Sequence, residues 1–138
     1  MTDHKKAVIN LVYTANIISE KITDALKPFD VSTPQFNVLR ILRGQKNKPA
    51  NLCTIQERMI HKMSNTTRLV DKLIDKGFVK RNTCEQNRRK VEIFITQKGL
   101  DVLVEMDEAV CNAEQQVINE LSREELIRLN VLLDKLRK

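Results

Sequence analysis

Four small hydrogen-bonding residues, Ser64, Asn65, Thr66 and Thr67, stand directly ahead of an amphipathic run, and Arg68 and Lys72 follow them at helical spacing. Residues of these types can read a duplex. Short amide and hydroxyl groups approach base edges in the major groove closely, Arg can grip one base through two parallel hydrogen bonds, and Lys meets phosphate as a point charge. A helix N-terminus adds unsatisfied amides and the positive end of its dipole. We assign base contacts to Ser64, Asn65, Thr66 and Arg68, a first-turn position beside them to Thr67, and a phosphate contact to Lys72. The bland alternative makes Ser64 a helix cap, Thr66 and Thr67 ordinary first-turn residues, and the cations mere solvators. Ser64 is expected to cap in either case.

Charge favours the duplex reading. The chain of 138 residues carries a net charge of +6. Nine basic and three acidic residues lie between Lys62 and Lys90, so this one segment holds the whole excess and the remainder is neutral. One basic segment in a neutral chain is the electrostatic footprint expected of a polyanion binder. Its distal end, Arg88-Arg89-Lys90, falls on a polar stretch between two strand-like runs, where Arg side chains can enter a narrow minor groove. A merely soluble hairpin tip is the competing role.

The surrounding pattern supplies elements that could hold these groups. Apolar residues at Val8, Val12, Ile18, Ile22 and Leu26 recur at helical period, and Pro28 stops that run. Thr33 before Pro34 reads as an N-cap and first-turn proline, opening a helix that ends at Gly44. Thr54 and Glu57 have capping-box spacing for a short helix reaching about His61. The helix after Ser64 turns Leu69, Val70, Leu73 and Ile74 inward, leaves Asn65, Arg68 and Lys72 on the opposite stripe, and stops at Gly77. Residues 78–82 and 90–96 read as strands joined by the polar tip 83–89. Thr96 opens a long helix, and Ser122 with Glu125 caps a last one bearing Leu126, Leu129, Leu133 and Leu136.

The expected fold is therefore mostly α with a small β-hairpin wing. It is one domain: a winged helix-turn-helix core over about 33–96, flanked by helices over about 3–27 and 97–137. The flanking helices have apolar faces that a small winged module cannot cover alone, so they predict a homodimer.

Other functions find less support. No Ser/His/Asp order, paired catalytic carboxylates or Gly-rich phosphate loop stands out, so an enzyme is not expected, and no cofactor is called for. Glu57 and His61 are spaced for a metal on one helix, but the capping box already accounts for Glu57, and no metal site is assigned. The three cysteines form no CxxC pair. Cys84 lies near Arg81, Arg88 and Arg89, which would favour a thiolate, and is the best redox candidate. Cys111 falls among apolar helical positions, and Cys53 has no evident role. No apolar run approaches the length of a membrane span, and the N-terminus lacks signal-peptide order, so a cytoplasmic location is expected. With aromatics at 4%, stacking of single-stranded nucleic acid is disfavoured. The alternatives kept are a winged helix used for protein contact through its basic face, and an RNA-binding module without operator specificity.

The segments ERMIHKMSNTTRLVDKLIDKGFVKR and NRRKVEIFITQKG resemble the MarR family of bacterial regulators. The resemblance extends over nearly the whole chain. It implies a homodimer on a palindromic operator, usually a repressor, with recognition helices in major grooves and wing tips in minor grooves. It also implies a small phenolic or otherwise lipophilic ligand between the dimer helices and the DNA-binding lobe, for which Tyr13, Phe29 and Phe36 are the candidates. One position departs from the family pattern. The acid that usually precedes the wing arginine by two residues is here Asn87, so Arg89 lacks a charged orienting partner while the charge of the tip rises.

Overall fold

The computed structural model describes residues 1–46, 48–59, 65–83 and 91–138. The first helix, α1, covers Asp3–Leu26, and a single 3-10 turn, Lys27–Phe29, follows it. Pro28 sits in the first positions of that turn, where its missing N–H costs nothing. Asp30 then takes the left-handed conformation at φ 54°, which reverses the chain into α2, Thr33–Gly44. Ser32, not Thr33, is the cap of α2. Its hydroxyl accepts from the Gln35 amide at 3.2 Å while the Gln35 side chain accepts from the Ser32 amide at 3.0 Å.

The helix α3 spans Leu52–Arg58, and its cap also departs from expectation. Asn51 accepts from the Thr54 amide at 2.8 Å, so Thr54 lies inside the helix and the Thr54–Glu57 box is not its start. The fourth helix, α4, runs Thr66–Asp75. Its strands follow as β1, Val79–Thr83, and β2, Val91–Ile95, paired antiparallel with Val79 opposite Ile95 and Thr83 opposite Val91. The polar loop after α2 contributes something its composition conceals: Ala50 and Ile93 exchange backbone hydrogen bonds of 3.0 and 2.8 Å, which covers the far edge of β2.

Two long elements complete the chain, α5 at Gln97–Ile118 and α6 at Arg123–Leu136. Thr96 caps α5 as expected, accepting from the Gly99 amide at 3.0 Å, and the same hydroxyl donates to the Gly77 carbonyl at 2.7 Å. Ser122 and Glu125 form the expected capping box of α6. Gly99 is required by proximity, because a Cβ there would stand 2.3 Å from the Phe78 carbonyl oxygen. Gly77 is required by its φ of +80°.

One core joins these pieces. Leu26, Phe36, Leu39, Ile55, Leu73, Ile93, Leu103 and Met106 are all buried together, so α2, α3, α4, the hairpin and the first half of α5 close around a shared interior. Each such side chain contributes about 1.5–3 kcal/mol when fully removed from water. Beyond Leu26 and Ala113 the flanking helices bury little. Val8, Val12 and Tyr13 of α1, and Ile127, Val131 and Leu136 of α6, are exposed, and α6 has no buried residue. No helix among the described residues is long and apolar enough to cross a membrane.

Candidate nucleic-acid interface

The exposed face of α4 is built by the phase of its core side. Val70 and Leu73 are buried and Leu69 and Ile74 pack against the same core, which leaves Thr67, Arg68, Asp71, Lys72 and Asp75 exposed. Asn65 is the cap: its side-chain oxygen accepts from the Arg68 amide at 3.1 Å. One residue therefore both starts the helix and stands at its exposed tip. Its amide nitrogen stays free to donate outward, since capping uses only the oxygen. The cap had been expected at Ser64, which lies outside the described residues.

Thr66 is a correction. It had been placed with the base-contacting residues, but it is 6% exposed and its hydroxyl is hydrogen-bonded to the Gln56 side-chain oxygen of α3. Its role is to fix the angle between the two helices of the helix-turn-helix. Between their N-terminal halves runs an open groove of about 480 Å³, lined by Leu52, Cys53, Gln56, Asn65 and Thr67 among others. Cys53 is exposed at its rim, which gives that residue a location if not a function.

The structure also sorts the basic segment. Arg81 of β1 pairs with Asp71 at 3.2 Å, and Lys76 pairs with Asp30 at 2.8 Å. Lys76 beside Asp30 holds that carboxyl below its ordinary range, with Lys72 adding to the effect. Lys80 lies over the Phe94 ring at 5.5 Å. Arg68 and Lys72 make no ion pair among the described residues. Two of the nine cations are thus partly neutralised within the fold, while the two on the exposed stripe of α4 remain available. The C-terminal end of α4 is held from behind. Lys98 donates to the Lys76 carbonyl at 3.1 Å and covers the Phe78 ring. Together with the Thr96–Gly77 bond, this fastens α4 to the start of α5.

Arg88, Arg89, Lys90 and Cys84 lie outside the described residues, as does His61 of the Glu57–His61 pair. β1 and β2 lead to and from that wing segment. The three aromatic residues expected to line a ligand pocket are not assembled within one chain. Phe36 is 2% exposed in the core, Phe29 packs against the core from the 3-10 turn, and Tyr13 stands 66% exposed on α1. The largest cavity, about 550 Å³, is instead polar. It lies where α1, α2 and α4 meet and is lined by Thr23, Lys27, Asp30, Gln35, Lys72 and Lys76 among others.

The family model for MarR matches residues 31–91, the span from the turn before α2 to the start of β2. A MarR transcription factor from Planctomyces limnophilus superposes with a TM-score of 0.77 at 28% identity, over 97% of each chain. This chain belongs to the MarR family. An uncharacterized HTH-type transcriptional regulator of Bacillus subtilis, YfiV, is 40% identical over 70 residues. That match spans 51% of this chain and 42% of YfiV. BpsR of Bordetella bronchiseptica, whose DNA binding is regulated by 6-hydroxynicotinic acid, shares the fold at 17% identity, with a TM-score of 0.83 over 100% of this chain and 97% of its own. The family assignment thus rests on the winged segment, and the likeness of fold extends through the flanking helices of this MarR protein.

Proposed function

We propose that this MarR-family protein is a sequence-specific double-stranded DNA-binding regulator, without catalytic activity, that represses as a homodimer on a palindromic operator and is relieved by a small ligand. The observation that carries the proposal is the exposed stripe of α4: Asn65 at the tip, then Thr67, Arg68 and Lys72, with Arg68 and Lys72 free of ion pairs among the described residues. These residues are presented by a helix whose other face is locked into the core, so they can enter a groove without rearrangement. Asn65 and Arg68 take base edges and Lys72 takes phosphate. Ser64 precedes them, and Thr66 positions them through α3. Arg88, Arg89 and Lys90 of the wing reach the neighbouring minor groove.

Homodimerisation is supported by the apolar side chains that α1 and α6 leave in solvent, which together exceed what a monomer ordinarily exposes in one region. A two-fold pair of such surfaces is self-complementary and sets two α4 helices at a fixed separation. Ligand response is supported by the regulation of BpsR by 6-hydroxynicotinic acid. Selection of bound sequences from a random duplex pool tests the proposal. Enrichment of a palindrome with half-sites about one helical turn apart is expected. Recovery of an unrelated or asymmetric set, held only by salt-sensitive bulk attraction, would overturn it.

A further inference from the structure

A second cluster of cations lies away from the exposed stripe of α4. Asn37, Arg40, Ile41 and Arg43 of α2 and Arg58 at the end of α3 line a cavity of about 330 Å³. The volume is in the range that takes small organic ligands. Every charged side chain lining it is an arginine. Arg43 pairs with Asp107 of α5, and both are a little over one-third exposed. Arg40 lies over the Phe36 ring at 5.5 Å, and neither Arg40 nor Arg58 has a carboxylate partner among the described residues. Guanidinium groups without a carboxylate, set against an aromatic face, are well suited to a planar oxyanion.

A separate observation points the same way. Asn37 is 6% exposed, yet its amide nitrogen has no hydrogen-bond acceptor. Buried amides left without a partner are costly and uncommon, so each one calls for a cause. Here the orphan donor belongs to a residue lining a cavity whose charged groups are all donors too. An acceptor brought into that cavity would satisfy the amide and at least two guanidiniums at once.

We infer that the Asn37–Arg40–Arg43–Arg58 cavity binds a small anionic metabolite, a carboxylate or a phosphomonoester, through the Asn37 amide and the arginine side chains. Ile41 and the Phe36 ring under Arg40 give the site an apolar flank, so an acid with a flat apolar body fits better than a bare ion. The cavity touches two parts of the fold that matter for regulation. Arg58 ends the helix whose Gln56 holds Thr66 of α4, and Arg43 is tied to α5. A ligand that draws on Arg43 and Arg58 would therefore act on both the reading helix and a flanking helix. This regulatory consequence rests on the operator-binding reading above; the binding site does not.

The test is calorimetric titration of the full chain, without DNA, using benzoate, inorganic phosphate and the neutral isostere benzamide at constant ionic strength. Saturable binding of benzoate or phosphate, with none of benzamide, is expected, and the tighter of the two identifies the carboxylate or phosphate class. Arg58→Gln and Arg40→Gln should each weaken it roughly tenfold or more, as loss of a charge-assisted bond does. Both residues are exposed, so neither variant endangers folding. Lys5→Gln removes an equal charge from α1 and should leave binding unchanged. Absence of saturable binding by either anion, or equal weakening in all three variants, would overturn the site. Because no DNA is present, either result leaves operator binding to be judged separately.

Discussion

Phe36, Leu39, Ile55, Leu73 and Ile93 of the winged module are each no more than 2% exposed, whereas Val8, Val12, Ile127 and Val131 of α1 and α6 are each more than half exposed. The two regions contain the same kinds of side chain and differ in whether one chain can cover them. Within the module, helix caps, the Ala50–Ile93 bridge and the Thr96–Gly77 bond leave few loose ends, and the core closes on itself. In the flanking helices the capping box of α6 fixes where the helix starts, but nothing in the same chain buries its apolar face. The difference teaches a division of labour. The module presents a rigid set of contacts, and the flanking helices determine how two such sets are spaced, because two linked half-sites bind far more tightly than one.

The sharpest way to break this comparison is to remove α6. Truncation after Leu121 should convert the protein to a monomer in sedimentation. It should also lower affinity for the selected duplex by roughly a hundredfold or more, the scale of a lost second contact. The remaining module should keep its cooperative thermal transition. A truncated protein that still sediments as a dimer would assign pairing to α1 and α5 alone.

Next in size are the contacts themselves. Arg68→Ala should cost roughly 1–3 kcal/mol on the selected duplex and much less on random DNA, if Arg68 reads a base edge. Equal loss on all sequences would reduce it to a phosphate contact. Arg89→Ala should have a smaller effect, concentrated on duplexes whose minor groove is narrow beside the half-site. Competition titrations of the two variants against groove-width variants of one duplex would separate these roles.

Thr66→Val acts within the module rather than on DNA. It removes the hydrogen bond to Gln56 and should lower stability by about 1 kcal/mol, read from the denaturant midpoint, without changing the sedimentation of the dimer. Asp30→Asn should give the smallest shift, because Asp30 is almost fully exposed and its pair with Lys76 is well solvated. The sign with pH is fixed by the lowered pKa. The stabilisation is fully present above the ordinary value of 3.8 and fades as pH falls through the lower folded value. The difference between wild type and Asp30→Asn should therefore shrink as the solution is acidified below that range.

What could be read from the sequence depended on how local each signal was. The caps at Thr96 and Ser122 were legible because each stands alone ahead of its helix. At Ser32–Thr33, Asn51–Thr54 and Ser64–Asn65 several cap-competent residues compete, and spacing alone does not choose among them; the structure selects Ser32, Asn51 and Asn65. The stripe Asn65, Arg68, Lys72 followed from helical period. The inward turn of Thr66 did not, since it depends on a Gln56 ten residues away in another helix. The ties of Asp30 to Lys76, Arg43 to Asp107 and Ala50 to Ile93 join residues distant in the chain and leave no periodic mark. Net charge was visible at once, but which cations the fold would neutralise was not. The donor-rich cavity had a faint trace, Asn37, Arg40 and Arg43 at helical spacing on α2, which became meaningful only when Arg58 was brought beside them.

Hydroxyl-radical footprinting of the full-length protein on its selected duplex tests the central claim most directly. Two equal protected patches, related by a two-fold axis and centred about one helical turn apart, are expected, each lost together when Arg68→Ala is used at the same concentration. A single patch, or protection that spreads evenly along the duplex and survives Arg68→Ala, would contradict a paired set of reading helices.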